Sequence, residues 1–82
     1  MMENVSVLKP GLRLEGGGTS KGAIVLAHKE STADTDVVLC YAAESPHDPF
    51  VVWYYYHNSG SCGVGSYHNN LWDAIKKYHD RS

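Results

Sequence analysis

The most reactive side chains of this 82-residue sequence belong to two cysteines and five histidines. Four of them offer the nitrogen and sulfur ligands that tetrahedral zinc prefers: Cys40, His57, Cys62 and His68. Their spacing contains no C-x-x-C pair, and a hairpin through this region would place His57 and His68 at opposite ends. The sequence therefore predicts no metal site, and a zinc-stabilised module is only a minor alternative.

Cys62 is the best candidate for a nucleophile, because it lies next to glycines and near His57. Cysteine catalysis needs a thiol of lowered pKa, a base and an oxyanion donor, yet no third orienting group is identifiable. The glycine-rich loop 16–22 carries Lys21 but precedes a strand, whereas phosphate binding needs a helix N-terminus behind the loop. We therefore expect no enzymatic activity and no cofactor.

Charge is unevenly distributed along the chain. Seven Lys and Arg against nine Asp and Glu give a net charge of −2, and no Lys or Arg occurs between Lys29 and Lys76. The acidic middle is either solvated loop charge or a face complementary to a basic protein partner. For the second interpretation the acids are Asp34, Asp36, Glu44 and Asp48, and the aromatic anchors are Tyr55 and Tyr67.

The elements that must position these side chains are mainly strands. Alternating or β-branched runs predict strands at about 12–14, 23–29, 37–43, 50–57 and 62–68, with a polar loop over 31–36. Asn70 is a good helix cap, and a helix of about ten residues follows. We predict one domain over 1–82 of the mainly β, α+β class: about five antiparallel strands in a curved, SH3-like or barrel-like sheet, with the C-terminal helix packed on it.

The strand Phe50–His57 is the strongest of the set, and neither of its faces is polar. Such a strand lies centrally with cover on both faces, or uses one face for a partner, including a second copy in a homodimer. The predicted core comprises Val25, Leu39, Tyr41, Phe50, Val52, Trp53, Tyr54, Leu71, Ile75 and Tyr78.

Two segments resemble known proteins. Leu8-Lys-Pro-Gly-Leu-Arg-Leu, followed by Gly22-Ala-Ile-Val, is similar to the opening of SH3-like small barrels. The stretch from Phe50 through Gly60-Ser-Cys-Gly-Val-Gly-Ser-Tyr to the final helix resembles short bacterial and phage accessory proteins. That resemblance implies a small protein of bacteria or their mobile elements, some of which bind and inhibit host proteins; it assigns no functional residue.

The start of the sequence lacks the basic and apolar regions of a signal peptide, and no run of about 18 apolar residues occurs. We therefore expect a cytoplasmic protein with reduced thiols and no membrane partner. The leading hypothesis is a non-enzymatic protein-binding module, such as a phage inhibitor. The alternative is a small-barrel nucleic-acid-associated protein that uses Lys9, Arg13, Lys21, Lys29 and the basic end of the helix.

Overall fold

The computed structural model describes residues 8–14, 22–43 and 47–81. These residues form four strands and one helix: β1 (Ile24–Thr32), β2 (Thr35–Tyr41), β3 (Phe50–Tyr56), β4 (Ser61–His68) and α1 (Leu71–Asp80). The strands follow one another as an antiparallel meander in the order β1-β2-β3-β4. The predicted mainly β class and the C-terminal helix are confirmed.

A fifth strand and a closed barrel do not appear in the described part of the chain, where the sheet is open. The predicted first strand is reduced to a single bridge between Arg13 and Ile24. Around it, the Leu14 N–H donates to the carbonyl of Ala23, and the Val25 N–H donates to the carbonyl of Leu12. Segment 8–14 is therefore a short flap along the first residues of β1, where Gly11 takes a positive φ of 92° at the turn.

The predicted loop over 31–36 is wrong. Only Ala33 and Asp34 separate the paired residues Thr32 and Thr35, so β1 and β2 form a tight hairpin. The two flanking threonines are β-branched and suit strand ends. Because β2 begins at Thr35, Asp36 lies within the strand, and its side chain is buried.

The central position of β3 is confirmed, because it pairs with β2 on one side and β4 on the other. Alternate side chains of β3 point to opposite faces of the sheet, and each set packs into its own apolar layer. On one face, Val51, Trp53 and Tyr55 join a cluster that Leu8 and Leu14 of the flap help to cover. On the other face, Val52 lies in a cluster with Val37, Leu39, Ala74 and Tyr78.

Helix α1 covers the second face. Asn70 caps it, since its side-chain oxygen accepts a hydrogen bond from the backbone N–H of Asp73 at 2.8 Å. Two cations hold its far end on the sheet: the ammonium of Lys29 lies 5.0 Å from the ring centre of Tyr78, and Arg81 donates to the carbonyl of Val52 at 3.3 Å. Within the described residues, no helix has the length and apolar character needed to cross a bilayer.

Most of the predicted core is buried or packed against the two clusters, but Tyr41 and Leu71 are exposed. Both lie at the end of the sheet that helix α1 does not cover. Tyr41 is the last residue of β2, and Leu71 is the first residue of the helix, before Ala74 and Tyr78 reach the sheet. Their assignment to the core was wrong for this reason.

Candidate binding surface

The acids predicted to form one face do not lie together. Asp34 is exposed in the β1–β2 turn, whereas Asp48 is exposed just before β3. The seven residues of β2 separate these two ends of the sheet, a distance of about 20 Å. Glu44 lies outside the described residues. The structure thus provides two separate acidic positions rather than a continuous acidic face.

Asp36 is not on the surface at all, because it is only 6% exposed. One carboxylate oxygen accepts a hydrogen bond from His28 Nδ1 at 3.2 Å, and the other accepts one from His57 Nε2 at 3.1 Å. A buried carboxylate is costly unless it is paired or hydrogen-bonded, and the two imidazoles meet that need. Asp36 therefore connects β1, β2 and the residue that follows β3, and is unavailable to a partner.

The two predicted aromatic anchors have different positions. Tyr55 is buried, and its ring meets His57 edge to face at 5.2 Å between ring centres. Burial and the nearby Cys62 thiol raise the pKa of Tyr55 above its ordinary value. Tyr67 is 44% exposed on β4 and contacts Trp53 edge to face at 6.1 Å. Of the pair, Tyr67 alone presents a ring to solvent.

The most exposed aromatic side chain, Trp72, was not among the residues predicted to bind a partner. Trp72 is 69% exposed, whereas the other tryptophan, Trp53, is buried. At about 100° per residue, Trp72 lies about 200° around the helix from Ala74, which faces the sheet. This angle was available in the sequence and would have identified Trp72 as an outward residue.

Trp72 lies at the end of the sheet where other apolar residues are uncovered. His68 pairs with Phe50, and α1 begins three residues later, so the start of the helix lies at the Phe50 end. Phe50 in turn contacts Tyr41 with 5.7 Å between ring centres. We call this set, Tyr41, Phe50, Leu71 and Trp72, the Trp72 surface. Phe50 is partly buried, and the other three are exposed.

Charged residues border the Trp72 surface sparsely. Asp48 precedes Phe50 by two residues, and Asp73 follows Trp72 directly; both are exposed. Lys76 is exposed one helical turn after Trp72. Among the described residues, two acids and one lysine therefore lie near these aromatics along the chain.

Cys40 is a poor nucleophile in this structure. Burial raises the pKa of the Cys40 thiol from 9.0 to about 12, and the Cys62 thiol adds to the effect. A thiol with so high a pKa is protonated at neutral pH and is a poor nucleophile. Cys40 and Cys62 are not joined in a disulfide. Among the described residues, no three His, Cys, Asp or Glu side chains are arranged to hold a metal ion.

The basic residues of the nucleic-acid alternative are partly engaged within the protein. Lys29 and Arg81 hold the helix on the sheet, through the contacts given above. Arg81 also stacks over the ring of Tyr54, 4.9 Å from its centre. Lys9 and Arg13 are exposed, and Lys21 lies outside the described residues.

Comparison with known proteins gives no assignment for this arrangement. No family model matches the chain, and no curated protein or solved structure does so either.

Proposed function

We propose that this protein is a non-enzymatic binding module that contacts another protein through the Trp72 surface. The observation that carries the proposal is the exposure of Trp72, 69% of whose surface is open to solvent on a helix that buries its other face. Tryptophan is the residue type most enriched among interface residues that dominate binding energy. Tyr41 and Leu71 add uncovered apolar area at the same end of the sheet.

The border of this surface indicates the kind of partner. Of the three predicted acids that the structure describes, Asp48 is the one at the Phe50 end of the sheet, and Asp73 directly follows Trp72 in the helix. The partner we propose offers an apolar pocket for the indole ring and a basic side chain that faces Asp48. Complementary rim charges of this kind guide encounter and orientation more than they add affinity.

The mode of action follows from the size of the domain and the resemblance of its C-terminal half to phage accessory proteins. We propose that this small domain acts by occupying a surface of its partner, and that it inhibits a host protein in this way.

The test is capture from bacterial lysate, with and without nuclease, by the tagged wild type and three variants. Trp72→Ala removes the anchor, and Asp48→Lys reverses the adjacent charge. Asp34→Lys makes the same charge reversal at the opposite end of the sheet and is the matched control. We expect one nuclease-resistant protein that the wild type and Asp34→Lys retain and the other two variants lose.

Two outcomes would contradict the proposal. Equal capture by wild type and Trp72→Ala would show that the Trp72 surface is not the binding site. Partners that disappear on nuclease treatment would favour the nucleic-acid alternative instead. Circular dichroism of each variant establishes that a lost partner does not reflect a lost fold.

A further inference from the structure

The sequence of the central strand β3 favours association with identical strands whenever it is uncovered. Its seven residues, Phe50–Tyr56, are all aromatic or β-branched, and none is charged, glycine or proline. Segments of six or seven residues with high β propensity, no proline and little charge are typical of cross-β assemblies, in which copies of one segment stack in register. The sequence of β3 therefore matches that of a self-assembling segment.

The other three strands lack this combination of properties. β1 carries Lys29 and Glu30, and β2 carries Asp36. β4 is uncharged, but it contains Gly63 and Gly65, which lower its β propensity. Among the four strands of the described residues, β3 is thus the one that combines an uncharged sequence with uniformly high β propensity.

The folded protein covers β3 on both edges and both faces. β2 pairs with one edge and β4 with the other. The side chains of Val51 and Val52, which point to opposite faces, are fully buried, and Trp53 is only 3% exposed. The strand can therefore meet a second copy of itself only after part of the fold has opened.

The part whose opening would uncover β3 is the C-terminal unit formed by β4 and α1. These two elements are consecutive, because α1 begins three residues after β4 ends. In the described structure none of the eight residues of β4 is buried, whereas five of the seven residues of β2 are. Val64 in β4 also has a positive φ of 55°, which strains a valine. Shallow burial and strain favour local opening of this unit before the rest of the sheet.

We propose that copies of this protein assemble through β3 into cross-β fibrils once the C-terminal unit β4–α1 has detached. Detachment uncovers the backbone N–H and C=O groups along one edge of β3, which can then pair with β3 of a second copy. It also uncovers the face of β3 beneath the helix, where Val52 and Tyr54 offer apolar area to a second sheet. This assembly starts from a partly opened state and does not depend on the Trp72 surface.

The test is incubation of the full-length wild type in reducing buffer, at half the urea concentration of its unfolding midpoint. Thioflavin T fluorescence and fibre diffraction follow the assembly. We expect fibrils with reflections at about 4.8 Å and about 10 Å, the spacings of stacked strands and packed sheets. Limited proteolysis and mass spectrometry of the fibrils should recover a protected core that contains Phe50–Tyr56.

Two lysine substitutions at similarly exposed tyrosines separate β3 from the rest of the chain. Tyr56 on β3 is 36% exposed, and Tyr41 at the end of β2 is 39% exposed. Tyr56→Lys should lengthen the lag phase by at least about fivefold, because stacked copies bring like charges together. Tyr41→Lys adds the same charge outside β3 and should assemble as the wild type does. Each variant is incubated at half of its own urea midpoint, so that differences in stability do not enter.

Equal delay in the two variants would overturn the assignment to β3, as would a protected core that lacks Phe50–Tyr56. A wild type that forms no fibrils would overturn the proposal as a whole. Where Tyr56→Lys fails to fold, the protected core of the wild-type fibrils decides.

Amide hydrogen exchange of the wild type tests the detachment step. The amides of β4 and α1 should have similar protection factors, lower than those of β2, as expected for a unit that opens before the rest of the fold. Equal protection of β2 and of the unit β4–α1 would overturn this step.

Discussion

The buried carboxylate of Asp36 allows a quantitative test of the fold. Asp36→Ala removes two hydrogen bonds to a charged acceptor, each worth about 1.5–3 kcal/mol in a buried setting. The side chains of His28 and His57 each remain 27% exposed, so water can replace part of what they lose. We therefore discount each bond to about 1 kcal/mol and expect a total loss of about 2 kcal/mol.

Urea unfolding at pH 7.5 measures this loss. For a domain of this size the slope is about 1 kcal/mol per molar urea, so the midpoint of Asp36→Ala should fall by about 2 M at unchanged slope. Asp34→Ala is the matched control: it removes an exposed acid two residues away and should change stability by less than about 0.5 kcal/mol.

A double-mutant cycle attributes the loss to the histidines. Asp36→Ala and His57→Ala should cost less together than the sum of their separate costs, by at least about 0.5 kcal/mol. If Asp36→Ala is as stable as Asp34→Ala, or if the two substitutions at 36 and 57 are additive, the carboxylate does not connect the strands as we infer.

Three further predictions concern strain, packing and ionisation. Val64→Gly should raise stability by up to about 1 kcal/mol in thermal unfolding, because glycine accepts the positive φ that strains valine. Gly65→Ala should lower it by about 1–3 kcal/mol, because the added methyl group would lie 2.7 Å from the indole nitrogen above it; equal stability would contradict the packing of β4. For Cys40 the folded pKa is raised from 9.0 to about 12, so the unfolded chain releases this proton first, and stability should fall as pH rises through that range. In Cys40→Ala this part of the fall in stability should be absent. The same dependence of stability on pH in the wild type and the variant would refute the raised pKa of Cys40.

The sequence was a good guide where local pattern and burial agree. Phe50–Tyr56 is apolar at both parities, and one of the two arrangements that satisfy that pattern, a central strand covered on both faces, is the one observed. The helix was predictable for a similar reason, because Asn70 and Asp73 form a local capping arrangement that depends on no distant residue.

The sequence failed where distant partners decide. Asp36 was taken as a loop acid because a carboxylate rarely faces inward, and the two histidines that permit its burial are 8 and 21 residues away. Trp72 was not among the predicted binding residues, although its angle on the helix places it away from the sheet-facing Ala74. The candidate binding surface was therefore predictable in kind, as exposed aromatics beside an acid, but of the five predicted residues that the structure describes, only Asp48 lies on its border.

The most direct test of the central claim is the dissociation constant of the captured partner, measured by calorimetry for two truncations. Trp72→Ala should weaken binding by at least about 30-fold, the effect of losing a dominant interface residue. Tyr56→Ala truncates an exposed ring at the other end of the sheet and should leave the dissociation constant unchanged. Equal affinities of the two variants would contradict the assignment of the Trp72 surface as the binding site.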